Sequence, residues 1–514
     1  MVMVTSNLVS SYNRLMEKAR DLAILASAKN VLEWDMETKM PPRGISLRSQ
    51  QLAMLSKFEH KMATDPEIGI LLSTIEKDPD YGALGDEQKR NVYLIRKKYD
   101  EQAKLPEELV AEIARQKAIT IDVWKKAKTA KNFAMFKPEL EKLVDLKKRV
   151  ATLLMEVKGT NTPYDALIDI YEPNMPSEKI AILFDELKRG LTSIIDKCLA
   201  SPRQPNNSIL LRRIPIDIQY GISNELARFV AYDIESKDAG GRIDETEHPF
   251  TTGYYDDVRI TTHYYEENFT SSLFSVLHEA GHALYEQGLN PRWMYQPVGE
   301  HCSMGFHEAM SRFVENIVGR SREFWLYFLP KLKSLTGNVL SDVDLDMLVF
   351  AINKVKPSKI RIEADEVTYC LHIIVRFEIE NDLFAEKVKV AELPNIWNQK
   401  YKEYLGLDII NDSEGVMQDT HWASGYYGYF PAYALGNVYG GQILAKMNKD
   451  IPDWRAEIAK GNFHVVKNWL TENVYQYGKL YDPTELIKKI TGEEINVKRF
   501  LDYLDDKYSK LYGY

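Results

Sequence analysis

The sequence predicts a mainly α-helical protein with a small β-sheet beside the helix that carries His278-Glu279-Ala280-Gly281-His282. Three observations predict it. Helical periodicity rich in Lys, Glu, Leu and Ala runs through residues 1–200 and returns from about Leu340 to the end. A short Thr-, Tyr-, Ile- and Val-rich stretch, Gly241 to Tyr265, interrupts it, and within this Asp257-Val258-Arg259-Ile260-Thr261-Thr262-His263-Tyr264 reads as a strand. Between the two helical parts lies His278-Glu279-Ala280-Gly281-His282.

Taken in chain order, the first helical region is broken by Pro41-Pro42, by Pro106 and by the turn Gly159-Thr160-Asn161-Thr162-Pro163. Ser201–Ser208 has the composition of a loop, and Asp238-Ala239-Gly240-Gly241 is a second break. Neither defines a domain boundary, and 514 residues could hold one large domain or two to three ordinary ones.

Leu273, Phe274, Leu277, Ala280 and Leu284 recur at helical spacing around the pentapeptide and predict a largely buried helix, started by the hydroxyls of Thr270 to Ser272 and ended by Gly288. On it His278 and His282 lie one turn apart on one face and reach a single ion, with Glu279 about 100° around the helix, beside the metal rather than on it. There a carboxylate takes a proton from an activated water.

A catalytic ion needs a third protein ligand. Tyr285 and Gly288 stand where a metzincin would have Gly and His, so the ligand lies elsewhere. Glu308, on a helix whose apolar face is Phe306, Met310, Phe313, Val314 and Ile317, is the first candidate, and Glu300, His301 and His307 are rivals. The competing reading of Glu308 is an exposed i, i+4 pair with Arg312. Eight of the ten histidines fall between His248 and His421, which predicts a histidine-rich cleft.

Composition excludes other classes. A net charge of −9 gives no footprint for nucleic acid or an anionic membrane surface. No apolar run approaches the ~18 residues of a membrane span, and no signal segment opens the chain, so a cytoplasmic protein is expected. Cys198, Cys302 and Cys370, odd in number and scattered, predict buried reduced thiols.

Six ordered motifs carry a resemblance. His248-Pro249-Phe250, Asp257-Val258-Arg259-Ile260-Thr261, His278–His282, His307-Glu308, Ile360-Arg361-Ile362-Glu363-Ala364-Asp365-Glu366 and Gly415-Val416-Met417-Gln418-Asp419-Thr420-His421-Trp422 together resemble the carboxypeptidase Taq-type zinc metallocarboxypeptidases. The resemblance runs nearly end to end. It departs at Ala309-Met310-Ser311, where the family usually has Ser-Gln-Ser, and at His263, where Arg is usual. It implies a single mostly α-helical domain over residues 1–514, with a helical region to about 240, a metal-site region over about 241–440 and a helical region over 441–514, a deep groove with zinc at its floor, a homodimer, Glu308 as third ligand, and release of C-terminal residues from peptides with broad specificity. Cobalt is the alternative ion, since the same donor set holds either. By analogy with related helical zinc peptidases, His421 and Tyr429 serve the oxyanion and Tyr426 the substrate end. Arg361 is the first choice to clamp a terminal carboxylate and Arg259 the second, with His248 also lining the cleft. For Arg361 the competing reading is structural, an ion-pair network with Glu363, Asp365 and Glu366. An oligopeptidase or peptidyl-dipeptidase of the same helical class is the alternative activity.

Overall fold

Helices carry most of the chain in the computed structural model, which describes residues 6–514. The breaks read from the sequence are where the helices stop. Helix Ser6–Thr38 turns through Pro41-Pro42 into Ile45–Ala63, and Pro106 starts Glu107–Ala130. Gly159, in the left-handed region at φ 63°, ends Phe133–Lys158, after which Thr162 caps Pro163–Ile168 through the Asp165 amide. The described cysteines are all free and buried, as their spacing predicted. No described helix is long and apolar enough to cross a membrane.

The expected strand forms over Asp257–Thr262 (β3), two residues short of the sequence reading. It sits between Gly241–Glu245 (β1), which runs parallel to it, and Thr251–Tyr254 (β2), which runs antiparallel. Gly253, at φ 127°, makes the β2–β3 turn possible: a Cβ there would lie 2.0 Å from Asp257 O.

Strands β2 and β3 pack on the motif helix, Phe269–Gly288. Its ends differ from expectation. The first turn is not closed by a hydroxyl: Asn268 stands at the N-cap, Thr270 donates to the Asn268 side chain, and Ser272 to Gln219 Oε1. Gly288 is the last helical residue rather than a left-handed cap. A side chain there would strike the Tyr475 ring at 2.4 Å.

Three helices cross at the core. The carboxylate helix, Met304–Arg312, lies between the motif helix and the glycine-rich helix Phe430–Asp450, and passes into a π-helical turn, Phe313–Val318. Gly281 and Gly436 sit at the two crossings. A Cβ at 281 would meet Met310 O at 2.6 Å and Ser311 Cα at 2.7 Å; one at 436 would meet Glu308 Cβ at 2.9 Å. The largest apolar cluster gathers residues from Ala127 to Tyr512 around this crossing, while Leu8, Tyr12, Leu15, Ile68, Leu72 and Val92 form a cluster among the N-terminal helices.

In an open helix, Gly→Ala gains about 1 kcal/mol of propensity. Gly281→Ala should instead lose about 1–3 kcal/mol, because the methyl must push backbone rather than a flexible side chain. Urea denaturation of the metal-free protein measures this, and unchanged or raised stability would refute the close crossing.

Candidate active site

The motif helix presents the two imidazoles of His278 and His282 with ring centroids 4.9 Å apart. From the carboxylate helix, Glu308 Oε2 reaches 3.6 Å from His278 Nε2 and 3.7 Å from His282 Nε2. Atoms bound about 2.0–2.2 Å from one ion at tetrahedral angles stand about 3.4 Å apart, so this donor set fits a divalent metal. The rival pairing of Glu308 coexists with that role: Oε1 accepts from Arg312 Nε at 2.8 Å while Oε2 faces the histidines and accepts from Ser311 Oγ at 3.0 Å. Glu308 is buried, not exposed.

The π turn supplies what the sequence did not announce. Glu315 Oε2 lies 2.9 Å from His278 Nδ1, which fixes that tautomer and leaves Nε2 with its lone pair toward the triad. Burial raises the Glu315 carboxyl, but the charge of Arg312 and the His278 contact outweigh it and hold the group well below the usual carboxylate range. Arg312 itself is fixed over the Tyr369 ring at 4.0 Å.

Glu279 is buried beside the triad. Thr251, on β2, donates to Glu279 Oε2 at 2.6 Å and also lies 3.0 Å from its carbonyl. Burial raises the Glu279 carboxyl, with His278 and Thr251 opposing.

The histidine-rich cleft is partly there. The rivals His301 and His307 turn to Glu286, whose Oε1 is 2.8 Å from His301 Nδ1 and 3.0 Å from His307 Nε2; these are hydrogen-bond separations. His307 stacks on His282 at 4.2 Å. Glu300 pairs with Lys479 at 2.7 Å. His372 is in the core, bonded to Tyr401.

Arg361 is buried, but its partner is not the acid group expected from its own motif. Asp419, from the Gly415–Trp422 motif, accepts from Arg361 Nε and Nη2 at 3.0 and 2.9 Å and also binds Arg376. Glu363 is exposed, Asp365 caps the turn at Thr368, and Glu366 binds Tyr503, Lys507 and Tyr508. His421 Nε2 lies 3.1 Å from Tyr433 Oη, and burial lowers its pKa to about 3, leaving a neutral imidazole. Tyr429 packs between Tyr171 and Tyr433, with ring centroids 4.9 and 5.1 Å away and His421 at 5.7 Å. Tyr426 is 44 % exposed and 6.3 Å from Tyr429. Buried Glu380 pins this loop, accepting from Trp422 Nε1 at 2.7 Å and from the Gly428 amide and Tyr164 phenol at 2.8 Å; burial pushes its carboxyl up to about 7. Arg259 is held by Asp257 on its own strand and lies over Trp34 at 4.3 Å. His248 is exposed between β1 and β2, and among the described residues no hydrogen bond or ion pair joins either residue to the triad. A cavity of about 740 Å³, lined by Tyr171, Tyr254, Glu286, His301 and Met304 and walled opposite by helix Ser6–Thr38, opens beside the site.

A helical fold of this topology around a His, His, Glu donor set with a second buried Glu is that of a metallopeptidase. Residues 14–508 match the profile of the carboxypeptidase Taq (M32) metallopeptidases. The chain is 40% identical to carboxypeptidase 1 of Bacillus subtilis, covering 95% of this chain and 96% of that one, and 39% identical to thermostable carboxypeptidase 1 of Thermus thermophilus, covering 98% and 99%. The structure superposes on an M32 carboxypeptidase from Deinococcus radiodurans R1 with a TM-score of 0.93 at 35% identity, covering 98% of this chain and all of that one. On a carboxypeptidase from Pyrococcus furiosus the TM-score is 0.92 at 32% identity, over 99% and 100% of the two chains. The chain belongs to the M32 carboxypeptidase Taq family: it is a metallocarboxypeptidase that uses a divalent metal and acts on peptides.

Removing the carboxylate that orients a metal-binding imidazole typically weakens metal binding by about 10–100-fold. Glu315→Gln should do so here. Chelator competition measures the change, and unaltered affinity would separate Glu315 from the metal site.

Proposed function

We propose that this metallocarboxypeptidase works with zinc held by His278, His282 and Glu308, uses Glu279 as general base, and removes C-terminal residues one at a time with broad tolerance. One observation carries the reading: a buried carboxylate, Glu279, is pinned by Thr251 one residue from the nearest metal donor. The donor chemistry suits zinc, and cobalt would fit the same atoms. When bound, zinc supplies a Lewis acid that acidifies water and withdraws charge from the carbonyl.

Glu279, raised by burial, takes the proton of the attacking water and passes it to the leaving amine. Tyr429, whose phenol burial keeps protonated, donates toward the developing oxyanion, with neutral His421 beside it on the same loop. Tyr426 meets the substrate further out. Two Arg361 N–H groups remain after Asp419 and Tyr369 are served, one on each terminal nitrogen, and we assign them to the terminal carboxylate. Arg259 and His248, away from the triad, are left for the far end of the groove. The wall near the reacting bond, Tyr171, Tyr429 and Tyr433, carries no formal charge, which suits varied side chains. We further infer a cytoplasmic homodimer; helix Ile45–Ala63 leaves Leu47 and Met54 62 % exposed and Phe58 49 %, an apolar face that a second copy would cover.

Glu279→Gln should retain metal while turnover falls by about 10²–10⁴-fold; substantial residual activity would remove Glu279 as base. Free-acid peptides should be shortened by single residues and their C-terminal amides spared. Equal cleavage of both, or release of dipeptides, would overturn the exopeptidase reading in favour of an oligopeptidase or peptidyl-dipeptidase.

A further inference from the structure

Burial makes the ammonium groups of Lys128 and Lys467 less basic, and each donates to a backbone carbonyl, Gln418 O or Ala231 O, at 2.8 Å. Lys507, also buried, pairs with Glu366 at 2.7 Å. Lys147 breaks this pattern. It projects from helix Phe133–Lys158 beneath the loop containing Gly425, and among the described residues no hydrogen bond or ion pair reaches its ammonium. The charge acting on it is a second cation, Lys117, from helix Glu107–Ala130; burial and that neighbour together lower its pKa to about 8. It remains mostly charged at neutral pH and keeps part of its surface open to solvent.

Holding a cation out of water without a counter-charge costs free energy, and placing a second cation beside it adds to the cost. An anion arriving from outside the chain offsets both. The position fits such an arrival. Lys117 Nζ stands 3.3 Å from the Tyr426 phenol oxygen and 4.7 Å over its ring, the Tyr426 ring is 6.3 Å from Tyr429, and Tyr429 abuts Tyr171 on the cavity wall. The two lysines stand at one end of a chain of rings, Tyr426, Tyr429 and Tyr171, whose other end lines the cavity.

We propose that Lys117 and Lys147 form an anion-binding subsite for the carboxylate of an acidic side chain in the peptide substrate. This deepens the exopeptidase reading and rests on it. Peptides are the enzyme's substrates, so the carboxylate is the anion they bring.

The experiment compares kcat/KM of the metal-loaded enzyme on free-acid peptides that differ only by Glu or Gln at each of the last four positions. Wild type should favour Glu over Gln by about fivefold at one position, the size expected of a partly screened ion pair. Lys147→Met and Lys117→Met should bring that ratio to about 1, chiefly through KM, while Lys147→Arg keeps it and neutral peptides are cleaved as before. Flat Glu/Gln ratios in wild type, with methionine variants that raise KM for every free acid alike, would overturn the side-chain subsite, because the lysines would then act on the chain end. Equal ratios and equal KM values in wild type and both variants would overturn the subsite. Cleavage of neutral free acids in the same assay reports separately on the exopeptidase reading.

Discussion

Everything at the active site depends on how closely three helices cross. Gly281 lets the backbone of the carboxylate helix ride against the motif helix, and Gly436 does the same on the other side, within 2.9 Å of where Glu308 leaves its helix. Interaxial distance sets whether a Glu side chain, with only two methylenes, can bring an oxygen to 3.6–3.7 Å from both imidazole nitrogens. Side chains at either crossing would separate the donors before any of them was altered.

The charge placed in this dry space is compensated in pairs. Glu308 and Glu315 are shared by Arg312, Arg320 also reaches Glu315, and the imidazoles lie against the carboxylates. Breaking one member of such a set leaves a buried charge uncompensated, a larger loss than the pair's net contribution. The π turn belongs to this arrangement: it lies at the end of the carboxylate helix and carries Glu315, which reaches back to His278.

The sequence made legible the features whose signal is local. Burial of the motif helix followed from Leu273, Leu277, Ala280 and Leu284, and β3 from its composition. Glu308 was visible as one candidate among four, and the family motifs singled it out. The supporting contacts were not visible, because each joins residues that no periodicity links: Thr251 to Glu279 across 28 positions, Glu315 to His278 across 37, Asp419 to Arg361 across 58. Thr251 follows directly on the quoted motif His248-Pro249-Phe250 but was not itself singled out, and Asp419 stood inside a quoted motif with nothing to say which arginine it held. Glycine at 288 looked like a helix stop because composition registers the missing side chain without revealing the Tyr475 ring that requires it.

The sharing of Asp419 by two guanidinium groups has an arithmetic outcome. Two positive charges and one negative leave the trio at +1, and His421, uncharged beside it, does not alter that sum. Arg376 is wholly enclosed, so an anion from solvent can reach the trio only on the Arg361 side. A single monovalent anion docking there brings the group to neutrality; a neutral chain end leaves the surplus standing, and a cationic one doubles it. With Arg361 in the proposed role of carboxylate clamp, the trio would count charge before any side chain is read.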